Sequence, residues 1–186
     1  MIRQVQLFQE TLKQLNDDLS LLQQGKSIMS YLDTIEVELV EVPAMNILKT
    51  RKMVQEDEFE TAYVECFGKL FRDITTNKLT VLMPPMVLFH SSEFTPLGLD
   101  TEFAIVVEET NIGTRKFAPG LCLKTTVYGS YSNLSSVYTK QREWAEKKGY
   151  ENTDALYEVY VNDPTQVSDE SELVTEVYYP VRKRTV

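Results

Sequence analysis

The feature that most restricts the fold of this chain is an order of secondary-structure signals that occurs twice. The first half, about residues 35–110, contains strand-like runs at 35–42, 45–53, 86–90 and 101–109 and a helical stripe at 56–74. The second half, about residues 115–183, contains strand-like runs at 121–128, 155–161 and 172–181 and a helix at 133–148. Both halves therefore contain a strand–helix–strand–strand unit.

Short sequence matches support a duplication. Pro43-Ala44-Met45 corresponds to Pro119-Gly120-Leu121, and Leu99-Asp100-Thr101-Glu102 corresponds to Leu173-Val174-Thr175-Glu176, with offsets of 76 and 74 positions. Their common order favours two related units over chance. We predict an α+β fold of two pseudo-symmetric repeats with antiparallel sheets, helices on one face and a central cleft where the halves meet.

A helix precedes the two repeats. Residues 2–24 contain no Pro or Gly, and apolar residues recur at alternating spacings of three and four, at Val5, Phe8, Leu12, Leu15, Leu19 and Leu22. This is the seam of a coiled coil, so we predict that residues 1–33 form a segment through which the chain forms a homodimer. An amphipathic helix packed on its own domain is the alternative. A shorter helical piece is expected at Ser27–Leu32.

Composition limits the classes of function. The chain of 186 residues has a net charge of −9, two cysteines and one histidine. It has no apolar run long enough for a membrane span and no basic stripe, so we expect a cytoplasmic protein that does not bind nucleic acid directly. Cys66 and Cys122 are expected to be reduced core residues, and His90 to be incidental. We expect no metal and no cofactor, since neither metal-ligand spacing nor a phosphate-binding glycine loop is present.

Strand alternation selects candidate ligand-binding residues. In 155–161, Glu158 and Tyr160 share one face, opposite Tyr157, Val159 and Val161, which are predicted to pack on helices. In 172–181, Glu176 and Tyr178 share a face. We expect both polar faces to line the cleft together with their first-half counterparts, which are Val87, Phe89, Glu102 and Ala104. Trp144 and Tyr128 are further candidates, although an aromatic residue on a helix or strand is more often a core residue.

Four segments resemble one known family. They are VEVPAMNILKT (40–50), REWAEKKGY (142–150), YEVYVNDP (157–164) and ELVTEVYYPV (172–181). Together they resemble the GyrI-like, or gyrase-inhibitor-like, domain over about residues 35–183. That resemblance implies a pseudo-twofold α/β domain with an aromatic cleft, in which an acidic residue engages cationic or polar aromatic ligands. Glu158 matches the family's glutamate in the YEVY motif.

The resemblance leaves three functions open. The first is a small-molecule sensor, because in MerR-type regulators a coiled-coil helix directly precedes such a ligand domain. The second is a hydrolase that detoxifies reactive electrophiles, with Glu158 as general base. The third is a gyrase-inhibitor-like module that binds a protein. No helix-turn-helix precedes the helix here, so we expect either a standalone relative or a fragment of a regulator.

Overall fold

A computed structural model describes residues 2–23, 35–91 and 98–185. Its α-helices are α1 (Ile2–Gln23), α2 (Phe59–Asn77) and α3 (Leu134–Lys148). The strands are β1 (Glu38–Val42), β2 (Met45–Val54), β3 (Met86–Phe89), β4 (Leu99–Val106), β5 (Thr114–Phe117), β6 (Gly120–Tyr128), β7 (Tyr150–Asn152), β8 (Leu156–Tyr160) and β9 (Val174–Lys183). The predicted helical piece at Ser27–Leu32 lies outside the described residues.

The strands form one antiparallel sheet with a symmetric order. The order is β1-β6-β9-β8-β3-β4-β2-β5, and β7 pairs with β9. The central pair is β8–β3, and the sequences β8-β9-β6 and β3-β4-β2 extend from it in opposite directions. Each repeat is therefore a strand, a helix and two strands, namely β2-α2-β3-β4 and β6-α3-β8-β9. The predicted fold of two pseudo-symmetric repeats is confirmed, with the antiparallel strands joined in one continuous sheet.

The helices form where the sequence pattern places them. The buried residues of α2 are Phe59, Ala62, Cys66, Phe67 and Leu70, which form one stripe at helical spacing. Gly149 ends α3 with a φ of +78°, and its backbone N–H donates to the carbonyl oxygens of the last turn. The short strands β5 and β7 were not predicted, since three or four residues carry too little alternation.

The two faces of the sheet have different neighbours. On one face, Val87, Phe103 and Tyr160 pack with α2, and Leu123 and Val177 pack in clusters that contain residues of α3. On the other face, a buried cluster is built from strand residues and Ala155. Tyr157 and Val159 belong to that second cluster, whereas Val161 is exposed. The prediction that Tyr157, Val159 and Val161 face the helices is therefore wrong.

Two other expectations concern the chain as a whole. Cys66 and Cys122 are both buried and both free, which confirms their prediction as reduced core residues. Burial raises the pKa of the Cys122 thiol to about 12. None of the described helices combines the length and the apolar character that crossing a bilayer requires.

Candidate ligand-binding site

The centre of the site is the carboxylate of Glu158 on the central strand β8. Its side chain is only 2% exposed. Oε2 accepts a hydrogen bond from Arg3 Nη2 at 2.9 Å and another from the Tyr160 hydroxyl at 3.0 Å. Oε1 accepts a short hydrogen bond from the hydroxyl of Tyr138 on α3. A buried carboxylate requires pairing and hydrogen bonds, and Arg3, Tyr160 and Tyr138 provide them here.

The two tyrosine hydroxyls act as donors to this carboxylate. Burial and the charge of Glu158 raise the pKa of Tyr138 well above its ordinary value. Burial also raises the pKa of Tyr160, against the opposing effect of Arg3. Both hydroxyls are therefore protonated at neutral pH and can donate to an anionic oxygen.

Three aromatic rings surround the guanidinium group of Arg3, which pairs with Glu158. The guanidinium carbon of Arg3 lies 4.6 Å from the ring centre of Tyr131, 4.8 Å from that of Tyr160 and 5.3 Å from that of Phe59. These distances are within the range of cation–π attraction. Burial alone would lower the pKa of Arg3, and Tyr160 and Glu158 more than offset it, so the net effect is a raised pKa. A carboxylate and three rings thus form a site for one positive charge.

Beside this site lies a cavity of about 650 Å³. Its wall near Glu158 includes Tyr138, Phe59, Phe89, Leu156 and Tyr179, and residues of α1 form another part of the wall. This volume falls within the range of pockets that hold drug-sized organic molecules. The lining is mixed, since charged side chains that include Arg142 and Asp154 line the cavity together with the aromatic and aliphatic ones.

A second buried carboxylate belongs to Glu102 on β4, on the opposite face of the sheet. Arg115 donates to it through Nε at 2.7 Å and Nη2 at 2.5 Å, and His90 Nε2 lies 2.8 Å from Oε1. Burial favours the neutral acid, but the hydrogen bonds from Arg115 and His90 dominate and lower the pKa of Glu102 to about 2. His90, which was expected to be incidental, also lines the 650 Å³ cavity.

Glu176 and Tyr178 do not lie beside Glu158. In the β8–β9 pair, Tyr157 is opposite Tyr178 and Glu158 is opposite Val177. Tyr178 stacks on Tyr157 at 4.7 Å between ring centres, and Glu176 pairs with Lys124 at 2.9 Å. The prediction that both polar faces line one cleft is wrong, because strand alternation fixes the faces within each strand but not the register between strands.

The remaining candidates fall in different places. Phe89 lines the cavity and stacks with Phe59, whereas Trp144 stacks on Tyr150 in a separate cluster at 5.7 Å. The Tyr128 side chain is 73% exposed. Among the first-half counterparts, Val87 pairs with Glu158 across β3–β8. Glu102 and Ala104 lie on the face of the sheet opposite Glu158.

Sequence reasoning missed the residues that complete the charged site. Arg3, Phe59, Tyr131 and Tyr138 are not among the ligand-binding candidates that the sequence indicates. Arg3 lies 155 positions before Glu158, so no local pattern connects them. Within residues 2–23, 35–91 and 98–185, no three His, Cys, Asp or Glu side chains cluster as a metal site would require.

The architecture and the cavity define a ligand-binding domain of two pseudo-symmetric repeats. The model of the GyrI-like small molecule binding domain matches residues 35–182, and the chain belongs to that family. This confirms the resemblance seen in the sequence. The search of curated proteins found no match.

Solved structures share the fold. The crystal structure of the C-terminal domain of EcmrR, a MerR-family protein, is 22% identical with a TM-score of 0.63, over 81% of this chain and 99% of that one. EcmrR in its DNA complex is 21% identical with a TM-score of 0.69, over 95% of this chain and 66% of that one. A Listeria innocua structure described as a hydrolase is 14% identical with a TM-score of 0.56, over 79% of this chain and 92% of that one.

Proposed function

We propose that this domain is a cytoplasmic sensor that binds amphipathic organic cations, with Glu158 as the residue that recognises the charge. The observation that carries the proposal is the 2% exposed carboxylate of Glu158 at the wall of a 650 Å³ cavity, beside three rings arranged around a positive charge. In such a desolvated position an ion pair and cation–π contacts are stronger than in water. The net charge of −9 favours cations over nucleic acid as partners.

Calorimetric titration of the full chain tests this proposal. The probes are tetraphenylphosphonium, which has four phenyl rings and a positive charge, and triphenylphosphine oxide, which has three phenyl rings and no net charge. We expect Glu158→Gln to weaken binding of the cation by about tenfold or more, since a buried charge–charge contact is lost, and to leave the neutral probe unaffected. Glu176→Gln on the opposite face is the matched control and should stay within about twofold. Absence of saturable cation binding by the wild type, or equal binding by Glu158→Gln, would contradict the proposal.

Self-association through α1 is a second part of the proposal. Val5, Phe8, Leu12 and Leu15 are 42%, 61%, 60% and 50% exposed, so these four positions of the seam point away from the other described residues. The inward side of α1 instead carries Arg3, Leu7 and Glu10. An exposed seam at alternating spacings of three and four is the surface by which two helices pair in a coiled coil.

Sedimentation velocity measures this self-association directly. Leu12→Glu places a charge in the seam and should shift a dimer to monomer. Lys13→Glu changes the charge of an exposed neighbour outside the seam and should leave the dimer intact. A wild-type chain that sediments as a monomer at all accessible concentrations would contradict the proposal.

Hydrolysis is a second candidate function. Tyr138 and Tyr160 both donate to Glu158, an arrangement in which a carboxylate can activate water while a tyrosine hydroxyl polarises an electrophile. The Listeria neighbour is described as a hydrolase. Chromatography of styrene oxide incubated with the wild type and with Glu158→Gln tests it. A diol that forms only with the wild type would support an enzyme, and intact epoxide would exclude this activity on that electrophile.

A further inference from the structure

The positive charge in the Glu158 site belongs to the chain itself. Arg3 Nη2 lies 2.9 Å from Glu158 Oε2, and Nη1 donates to the Tyr160 hydroxyl at 2.8 Å. The same guanidinium contacts the rings of Phe59, Tyr131 and Tyr160. Arg3 therefore makes the ion pair, the hydrogen bond and the ring contacts that a bound organic cation would make there.

A second cation cannot share this position. Glu158 Oε2 already accepts from Arg3 and Tyr160, and Oε1 accepts from Tyr138. The Arg3 side chain is 16% exposed, so a second positive charge placed beside it would be repelled in a poorly screened environment. A ligand cation and Arg3 are thus alternative occupants of one site.

The start of α1 lies against the turn at residues 131–133 and against α2, and Arg3 and the half-buried Leu7 are on its inward side. The seam residues Val5, Phe8, Leu12 and Leu15 remain largely exposed. A side-chain hydrogen bond of 3.0 Å also runs from Ser130 Oγ to Glu10 Oε1. Gln4 Oε1 is buried and accepts no hydrogen bond from the described residues. A buried acceptor without a donor opposes docking, so displacement of this turn relieves one unfavourable feature.

We infer that Arg3 is an intrachain surrogate for the ligand, so that an organic cation binds Glu158 only after Arg3 and the first turn of α1 have left the site. This inference rests on the proposed function of Glu158 as the cation-binding residue. Because Arg3 lies on the helix that carries the exposed apolar seam, ligand binding at Glu158 and the position of that helix are coupled. Linkage makes the coupling reciprocal, so any event that undocks α1 also raises the affinity for the cation.

If Arg3 is such a surrogate, a mutation that removes its side chain should raise the affinity for the cation, although it lies at the binding site. Removal of a cation-site contact ordinarily weakens binding, whereas removal of an internal competitor strengthens it. When only a fraction of the molecules has an empty site, the apparent affinity falls by that fraction. Arg3→Ala empties the site in all molecules.

Calorimetry of the full chain with tetraphenylphosphonium, together with hydrogen exchange of residues 2–23, tests the inference. We expect Arg3→Ala to bind the cation on the order of tenfold more tightly than the wild type, and Arg3→Lys to lie between them because a lysine lacks the guanidinium fork. Lys13→Ala removes an exposed cation from the same helix and should change nothing. In the wild type, addition of the cation should accelerate exchange in α1, and triphenylphosphine oxide should not.

The outcomes separate this inference from the proposed function. If the wild type and Arg3→Ala bind the cation equally and exchange in α1 is unchanged, the surrogate is wrong while the role of Glu158 stands. If Arg3→Ala binds more weakly, Arg3 supports the site and the inference is overturned. If no variant binds the cation, the proposed function itself fails. Should Arg3→Ala not fold, as judged by circular dichroism, the exchange experiment on the wild type decides alone.

Discussion

Glu102 on β4 and Arg115 on β5 form a two-pronged ion pair around a buried carboxylate, with Nε–Oε2 and Nη2–Oε1 distances of 2.7 and 2.5 Å. Glu102 is 1% exposed and Arg115 is 34% exposed. Loss of Arg115 leaves the buried Glu102 carboxylate with His90 as its remaining contact, and an undercompensated buried charge costs more than the loss of the attraction itself. Substitution of either residue is therefore expected to lower the free energy of unfolding.

Arg115→Met should lower the free energy of unfolding by about 3 kcal/mol, at the low end for buried pairs because Arg115 keeps some exposure. Urea unfolding at pH 7 measures it. Arg51→Met is the matched control, since Arg51 and Asp100 form an ion pair at 2.7 Å with exposures of 48% and 28%. Exposed pairs contribute about 1 kcal/mol or less. Equal losses of unfolding free energy in the two variants would contradict the conclusion that the Glu102–Arg115 pair contributes more than an exposed one.

The same carboxylate predicts a pH dependence. The pKa of Glu102 is lowered from 4.5 to about 2, so the unfolded chain binds this proton more readily than the folded chain. Its contribution to stability is then fully present above the unfolded value and is lost as the pH falls towards about 2. Urea unfolding at pH 5, 4 and 3 should show a shallower loss in Glu102→Gln than in the wild type. Parallel slopes would show that this group does not titrate in that window.

Tyr138→Phe tests the short hydrogen bond to Glu158. The substitution removes one donor from a buried carboxylate, so we expect a loss of about 1–2 kcal/mol in the free energy of unfolding. Tyr128→Phe removes a hydroxyl from a side chain that is 73% exposed and should have no measurable effect. Thermal denaturation of both variants provides the comparison, and equal melting temperatures would argue against the hydrogen bond.

Two glycines differ in what a methyl group would meet. At Gly149, with a φ of +78°, an added Cβ would contact nothing within 4 Å, so Gly149→Ala should cost only the conformational strain of about 1 kcal/mol. At Gly98, with a φ of +103°, the Cβ would lie 2.8 Å from the carbonyl oxygen of Val54. Gly98→Ala should therefore be clearly more destabilising in urea unfolding. The reverse order would contradict the backbone geometry at one of these positions.

Glu158 shows how far sequence reasoning reached into the site. Its motif singled out the residue, and strand alternation correctly placed Glu158 and Tyr160 on one face. That face was expected to lie opposite the helices, but Glu158 contacts Tyr138 on α3 and Tyr160 packs with α2. The same reasoning placed Glu176 and Tyr178 beside it, and the β8–β9 register puts them on the other face. The connection between these strands runs from Val161 to Leu173, too long for a tight turn to fix the pairing. Register was therefore decided by packing across the whole sheet.

The sequence by itself determined the features that depend on local periodicity. The stripe from Phe59 to Leu70, the end of α3 at Gly149 and the doubled strand–helix–strand–strand order all follow from the spacing of apolar residues and glycines along the chain. Only the tertiary structure decided which charges meet. Arg3 and Glu158 are 155 positions apart, and their contact at 2.9 Å exists because the start of α1 docks against α2 and the turn at residues 131–133. Hydrophobic patterning is a short-range property of the chain, whereas the pairing of two buried charges depends on how distant elements pack together.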